Sequence, residues 1–136
     1  MTVEGISLDP LERAYTKFNN FLNLFDSIDK EDALNYDITA AGCIQAFEYT
    51  LELSWKTMKK IMESTGIQDI NNPKSVFRQA AREGFINDPI IWFEFLKARN
   101  ETAHTYNEDA MENVVSILPQ FNTAVHELLT NLRKKV

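Results

Sequence analysis

The chain has 136 residues, with 14 lysines and arginines against 20 aspartates and glutamates, which gives a formal net charge of −6 at pH 7. A field of this sign repels polyanions, so it argues against broad, non-specific nucleic-acid binding, and any phosphate site must be local. The length is typical of one domain with its own core, and we expect a single domain over residues 1–136. The only cysteine, Cys43, lies among apolar residues and is predicted to be a core residue, which fits a reducing compartment.

No segment approaches the roughly 20 consecutive apolar residues that a membrane-spanning helix needs. The N-terminal residues do not form a basic region followed by an apolar run, so no secretory signal is expected. The sequence therefore predicts a cytoplasmic protein without a membrane partner.

Helical periodicity extends over every long segment of the chain. The first predicted helix runs from about Pro10 to Phe25 and repeats apolar residues at steps of three and four. The polar stretch Asp26 to Asn35 is expected to break it. The second and longest helix is predicted to begin near Asp37, a good N-cap residue, and to end at Gly66. Its long apolar stripe predicts that it forms the centre of a helical bundle.

Two further helices are predicted where an N-cap residue precedes a proline, at Asn72-Pro73 and at Asp88-Pro89. Proline is favoured at the first helical position because its missing N–H has no partner there. The first of these helices ends near Gly84, and the second ends at about Asn100. Apolar residues surround the second helix almost completely, so it lies in the centre of the fold or contacts another subunit. They are Ile90, Ile91, Trp92, Phe93, Phe95 and Leu96.

The last predicted helix follows the Thr105–Asn107 turn and ends in Arg133, Lys134 and Lys135, which complement the helix dipole. Pro119 is expected to interrupt and kink this helix, because proline removes a backbone hydrogen bond and crowds the preceding turn. The predicted fold class is all-α: an antiparallel, up-and-down four-helix bundle with one additional short helix.

Several kinds of site are not indicated. The chain has no glycine-rich phosphate loop and no cysteine or histidine cluster at metal-ligand spacing, so we expect neither a cofactor nor a bound metal. Glu48 and Glu52 lie one helical turn apart and have the chemistry of a cation site or an acid–base pair, but a solvated strip is the favoured interpretation. His126 has no arginine or tyrosine near it in the sequence and is interpreted as an ordinary polar-face histidine.

The candidate functional segment is Arg99 to Tyr106. A guanidinium binds phosphate through paired hydrogen bonds, an imidazole transfers protons near neutral pH, and a phenol is a nucleophile or a modification site. In an unbroken helix Arg99 and His104 would point about 140° apart, so they converge only if the helix ends between them or if two copies meet in a dimer. In the competing interpretation Arg99 pairs with Glu94 or Glu101, and His104 caps a turn.

The spacing of Arg99, Asn100, His104 and Tyr106 resembles the R-x4-H-x-Y motif of HEPN-family proteins. The similarity is to those HEPN proteins that are paired with a minimal nucleotidyltransferase and known as nucleotidyltransferase substrate-binding proteins. It covers nearly the whole chain, from Leu11 to the last helix. Two other segments also resemble that family, Phe47–Lys56 and Asp88–Trp92.

The resemblance implies a homodimeric toxin of a type II toxin–antitoxin pair: a metal-independent endoribonuclease that a cognate nucleotidyltransferase neutralises by adenylylating it. Arg99 would bind the scissile phosphate, and His104 would transfer protons as the RNA 2′-hydroxyl attacks. Asn100 would orient the phosphate or the histidine, and Tyr106 would receive AMP. We expect the helix from Pro89 to Asn100 to lie in the dimer interface, because so apolar a surface should not stay exposed.

Two other functions remain open. The chain has the features of a non-catalytic substrate-binding subunit of a two-component nucleotidyltransferase, and also those of a helical scaffold dimer. A small nucleotidyltransferase encoded in the neighbouring reading frame would disfavour the scaffold, and RNA cleavage by the isolated protein would separate the other two. The net acidity is in tension with an RNA substrate. A narrow cleft with two copies of Arg99, helped by Lys97, is the expected resolution.

Overall fold

Five α-helices make up most of the molecule, and the computed structural model describes all residues, 1–136. The helices are α1 (Asp9–Ser27), α2 (Ala33–Ser64), α3 (Pro73–Arg82), α4 (Pro89–Glu101) and α5 (Glu108–Arg133). A 3₁₀ turn, Thr102–His104, connects α4 to α5. The predicted all-α bundle with one additional short helix, α3, is confirmed.

The helix starts show how local capping determines these boundaries. The side chain of Asn72 accepts a hydrogen bond from the Ser75 N–H at 2.9 Å, and that of Asp88 accepts one from the Ile90 N–H at 2.9 Å. Both predicted starts are therefore confirmed. The predicted start of α2 near Asp37 is wrong, because Asp32 caps the helix instead.

Asp32 forms this cap through two bonds to the same residue. Its carboxylate accepts from the Asn35 N–H at 3.4 Å and from the Asn35 side-chain amide at 2.6 Å. Helix α2 consequently begins one turn earlier than predicted, within the polar segment that was expected to break the helical structure. In this first turn the side chain of Leu34 is 70% exposed.

Pro119 lies inside α5, which continues through it as a single helix. The predicted interruption is therefore wrong. The residue is exposed, and a proline removes only one of the backbone hydrogen bonds of a 26-residue helix, so packing on both sides keeps the helix together.

A short hairpin precedes the helices and was not predicted. Its strands, β1 (Thr2–Val3) and β2 (Ile6–Ser7), pair antiparallel around Glu4 and Gly5, whose φ angles are 51° and 78°. Two positive φ angles in a two-residue loop match the twist of a hairpin, and glycine adopts them without strain. Strands of two residues are too short to show an alternating pattern in the sequence.

An aromatic cluster at the centre of the bundle joins four of its helices. The ring of Phe121 in α5 lies edge-on to Phe18 in α1, Phe47 in α2 and Phe95 in α4, with centroid distances of 5.3, 4.8 and 5.1 Å. Edge-to-face pairs of this kind add to the stabilisation from burial. The cluster fixes α4, and therefore the segment that follows it, against α2 and α5.

Helix α4 buries one part of its apolar surface in the fold and leaves Ile91, Phe93 and Leu96 half-buried, so its contact with another subunit stays a prediction. Trp92 and Phe95 are buried, and the ring of Phe93 is covered by the Arg78 guanidinium at 5.2 Å from its centroid. Only Ile90, at 64% exposure, presents a largely uncovered apolar side chain on this helix.

Cys43 is fully buried in α2, as predicted for a core residue. Burial, together with the charge of Asp26, raises the pKa of its thiol from 9.0 to about 11. The thiol is therefore protonated and unreactive at neutral pH. None of the helices has the length and apolarity to cross a membrane.

Candidate functional site

The helix that carries Arg99 ends before it reaches His104. Helix α4 ends at Glu101, and the 3₁₀ turn Thr102–His104 follows it. The Arg99 carbonyl accepts both the backbone N–H of Thr102 and its hydroxyl, the latter at 2.7 Å, which caps the helix end. The α-helix thus ends between Arg99 and His104, although the backbone continues as a tighter helical turn and no hydrogen bond joins the two side chains.

The guanidinium of Arg99 is held by two other elements. Its Nη1 lies 2.9 Å from Oε2 of Glu48 in α2 and donates to Oγ1 of Thr102 at 2.9 Å. The predicted alternative partners, Glu94 and Glu101, do not form this ion pair. The arginine side chain is 47% exposed, and pairs of this exposure contribute about 0–1 kcal/mol. A phosphate can therefore displace the carboxylate at little cost.

Glu48 is the residue of this site that sequence reasoning missed. Glu52, one turn further along α2, pairs instead with Lys56 at 2.8 Å on the exposed face. The interpretation as a solvated strip is thus right for Glu52 and wrong for Glu48. The sequence signal was the position of Glu48 beside the fully buried Phe47 and one turn after the buried Ile44, which places its carboxylate at the edge of the core.

His104 and Tyr106 form a second pair. The hydroxyl of Tyr106 lies 3.5 Å from Nδ1 of His104, and their rings are roughly perpendicular with centroids 6.0 Å apart. Tyr106 is 86% exposed, and His104 and Asn100 are also exposed. The polar contacts of Arg99 go to Glu48 and Thr102, whereas that of His104 goes to Tyr106. The structure thus places all four predicted residues at the end of α4 and in the segment that follows it, with Arg99 in one contact set and His104 with Tyr106 in another.

A groove of about 690 Å³ lies between the first half of α2 and the junction of α4 and α5. Tyr106 and Glu48 both line it, so it adjoins the two contact sets. Its wall contains the carboxylates of Asp37, Glu48, Glu108 and Glu112 and no lysine or arginine. We call it the acidic groove. No group of three or more histidine, cysteine or carboxylate side chains is arranged to hold a metal ion.

The arrangement can perform two kinds of chemistry. An exposed guanidinium can stabilise a phosphate, and an exposed imidazole at the same end of the bundle can move protons to or from phosphate oxygens. An exposed phenol next to an imidazole nitrogen can act as an acceptor for a transferred group, because nothing in the fold covers it.

Comparison with known proteins defines the class to which this fold and site belong. The family model described as nucleotidyltransferase substrate binding protein like matches residues 6–134. The chain therefore belongs to the HEPN/nucleotidyltransferase substrate-binding protein family, and the resemblance seen in the sequence is confirmed.

Individual relatives agree with this assignment. A Haemophilus influenzae protein named Probable ribonuclease HepT is 30% identical over 142 residues, which cover 99% of this chain and 97% of the relative. A solved structure from the same organism, described as the fold of a substrate binding domain of a nucleotidyltransferase, has a TM-score of 0.80 and 30% identity and covers 93% of this chain and 99% of its own. A second solved structure, from Thermus thermophilus, has a TM-score of 0.75 and 27% identity and covers 90% of this chain and 98% of its own.

Proposed function

We propose that this protein is the toxin of a type II toxin–antitoxin pair, a metal-independent endoribonuclease that a cognate minimal nucleotidyltransferase neutralises by adenylylation. The observation that carries the proposal is the end of α4 between Arg99 and His104, which leaves both side chains exposed at one end of the bundle. The relative named as a ribonuclease, similar along nearly its whole length, supports it.

In the proposed reaction, the RNA 2′-hydroxyl attacks the adjacent phosphorus and the bond to the leaving 5′-oxygen breaks. The products are a 2′,3′-cyclic phosphate and a 5′-hydroxyl. Arg99 exchanges Glu48 for the phosphate and stabilises its developing charge, which is the role that a metal ion takes in other nucleases. His104 accepts the proton of the 2′-hydroxyl and returns one to the leaving oxygen, and Asn100 orients the phosphate.

Tyr106 is the proposed site of control. Its oxygen forms a bond to the α-phosphorus of ATP, pyrophosphate leaves, and the phenol proton is released to solvent. Its 86% exposure makes the hydroxyl accessible to the transferase, and its position 3.5 Å from His104 places the added phosphate beside the imidazole. That anion occupies the space of the RNA phosphate and repels it.

We propose a homodimer, with the first half of α2 at the interface. Leu34 and Ile38, 70% and 61% exposed, lie on one face of α2 with Tyr49, which is 60% exposed. At 100° per residue, Glu48 lies about 40° from Leu34 and about 100° from Tyr49, so it borders this face on the side of the acidic groove. A two-fold axis along this face would bring two Arg99–Glu48 pairs together. The two Arg99 guanidinium groups would then both be available to one RNA molecule.

The alternative, a non-catalytic substrate-binding subunit of a two-component nucleotidyltransferase, is favoured by the description of the Haemophilus influenzae fold. RNA cleavage by the purified protein in chelator separates the two. We expect cleavage that is unchanged by chelator and leaves 2′,3′-cyclic phosphate and 5′-hydroxyl ends. Intact RNA under all conditions would favour the binding subunit, and loss of cleavage in chelator would contradict metal independence.

A further inference from the structure

We propose that, once Tyr106 carries AMP, the adenosine part of the modification docks in the acidic groove and holds the AMP phosphate over Arg99 and His104. This inference rests on the proposed adenylylation of Tyr106. The groove has about 690 Å³, within the roughly 300–1,000 Å³ typical of small-molecule sites. Because Tyr106 lines its edge, a group attached to the phenol oxygen reaches the groove without leaving the surface.

The walls of the groove suit a flat purine. Tyr36 lines it on one side, and its ring packs against Phe25 with centroids 5.0 Å apart, which holds it as a fixed aromatic surface. Ile44 and Met111 supply apolar contacts within the same groove. Aromatic side chains and polarisable methionines are favourable surfaces for stacked bases.

The charges of the groove favour the nucleoside over the phosphate. Ionised carboxylates accept hydrogen bonds and cannot donate them, so Glu48, Glu108 and Glu112 match the ribose hydroxyls and the adenine amino group, which are donors. The same carboxylates repel a phosphate. The phosphodiester therefore stays at the edge of the groove, where Arg99 is anchored to Glu48 and Thr102, both of which line the groove.

Docking of the adenosine changes how the adenylylation of Tyr106 inhibits RNA cleavage. An AMP group that moved freely in solvent would leave the phosphate site uncovered for part of the time. An adenosine held in the groove keeps the phosphate beside His104 and protects the modification from hydrolysis, since a bound group is attacked only when it detaches.

The test uses protein adenylylated by the nucleotidyltransferase from the neighbouring reading frame with ATP. A phosphodiesterase that releases 5′-nucleotides then measures how accessible the AMP is. Ala41→Phe fills the groove from an exposed position of α2, and Ser64→Phe introduces the same side chain at an exposed position at the other end of α2, outside the groove and the proposed interface. We expect AMP release about tenfold faster from the modified Ala41→Phe variant, because a tenfold population ratio corresponds to about 1.4 kcal/mol of docking. Modified Ser64→Phe should match the parent.

A second measurement on the parent protein locates the adenosine directly. Modification with ¹³C-labelled ATP should give nuclear Overhauser effects from adenosine protons to the methyl groups of Ile44 and Met111. Equal release rates in all three proteins, or adenosine signals without contacts to these methyl groups, would overturn the docking inference while leaving the adenylylation intact. Absence of any AMP-sized mass gain would instead contradict the adenylylation of Tyr106 itself, and the docking with it.

Discussion

Arg99 is positioned by two residues that lie in different elements. Glu48 contacts its guanidinium from α2, and Thr102 does so from the turn that follows α4, each at 2.9 Å. The Thr102 hydroxyl is itself fixed by its bond to the Arg99 carbonyl. Glu48 therefore has two effects: it orients the guanidinium in the free protein, and it competes with an incoming phosphate.

Neutralising Glu48 tests this competition. We expect Glu48→Gln to lower the KM for RNA by up to about fivefold, since the exposed ion pair that phosphate must displace contributes about 0–1 kcal/mol. The matched control is Glu52→Gln, which makes the same change in net charge one turn away, where the partner is Lys56. Steady-state cleavage kinetics give the comparison. A raised KM in Glu48→Gln, or equal changes in the two variants, would contradict a competing role for Glu48.

Tyr106 is predicted to carry the modification. After reaction with the neighbouring nucleotidyltransferase and ATP, we expect the parent to gain the mass of AMP and to lose RNA cleavage, because the added anion lies beside His104. Tyr106→Phe should gain no mass and should stay active under the same conditions. Tyr49→Phe, which alters another exposed tyrosine, should behave as the parent. Intact-mass and peptide mass spectrometry decide this, and an equal mass gain in Tyr106→Phe would remove Tyr106 from the mechanism.

Two helices leave apolar side chains exposed. Helix α4 buries Trp92 and Phe95 and exposes Ile90, whereas the first half of α2 exposes both Leu34 and Ile38. Uncovered apolar side chains grouped on one face are typical of interaction surfaces. The expected homodimer stays a prediction, and its interface is now proposed on α2.

Two isoleucines distinguish the possible interfaces. Ile38 in α2 and Ile90 in α4 are 61% and 64% exposed, so an aspartate at either position should leave the fold of one protomer intact. We expect Ile38→Asp to weaken dimerisation by about 10²-fold or more, because a buried isoleucine contributes about 1.5–3 kcal/mol and occurs twice in a symmetric interface. Ile90→Asp should remain dimeric. Light scattering over a concentration series measures both, and a monomeric parent at micromolar concentration would contradict the dimer.

The helix boundaries that the sequence predicted correctly are those determined by residues close to them in the sequence. The starts of α3 and α4 follow from Asn72 and Asp88, whose side chains cap the N–H groups two or three residues later. The start of α2 was misplaced because Asp32 and Asp37 are both suitable caps, and only the Asn35 contacts distinguish them. The partner of Arg99 was not predictable in this way, because Glu48 reaches it through the packing of α2 against the end of α4.

For the whole molecule, the net charge of −6 means that RNA, the proposed substrate, would have to be bound locally. The acidic groove adds to this restriction, because it places four carboxylates beside the segment that carries Tyr106. Under the proposed function, binding energy for RNA is therefore concentrated at Arg99 and, in the proposed dimer, at its second copy. The single domain over residues 1–136 stays a prediction; the hydrophobic core draws on all five helices.

The central claim is that Arg99 and His104 carry out RNA cleavage. The most direct measurement is the single-turnover rate of RNA cleavage in chelator for Arg99→Ala and His104→Ala, with Arg82→Ala and His126→Ala as controls at other exposed positions. We expect losses of about 10²–10³-fold for Arg99→Ala and about 10²–10⁴-fold for His104→Ala, with thermal unfolding nearly unchanged and the controls fully active. Folded Arg99→Ala and His104→Ala variants that cleave RNA as fast as the parent would contradict the account.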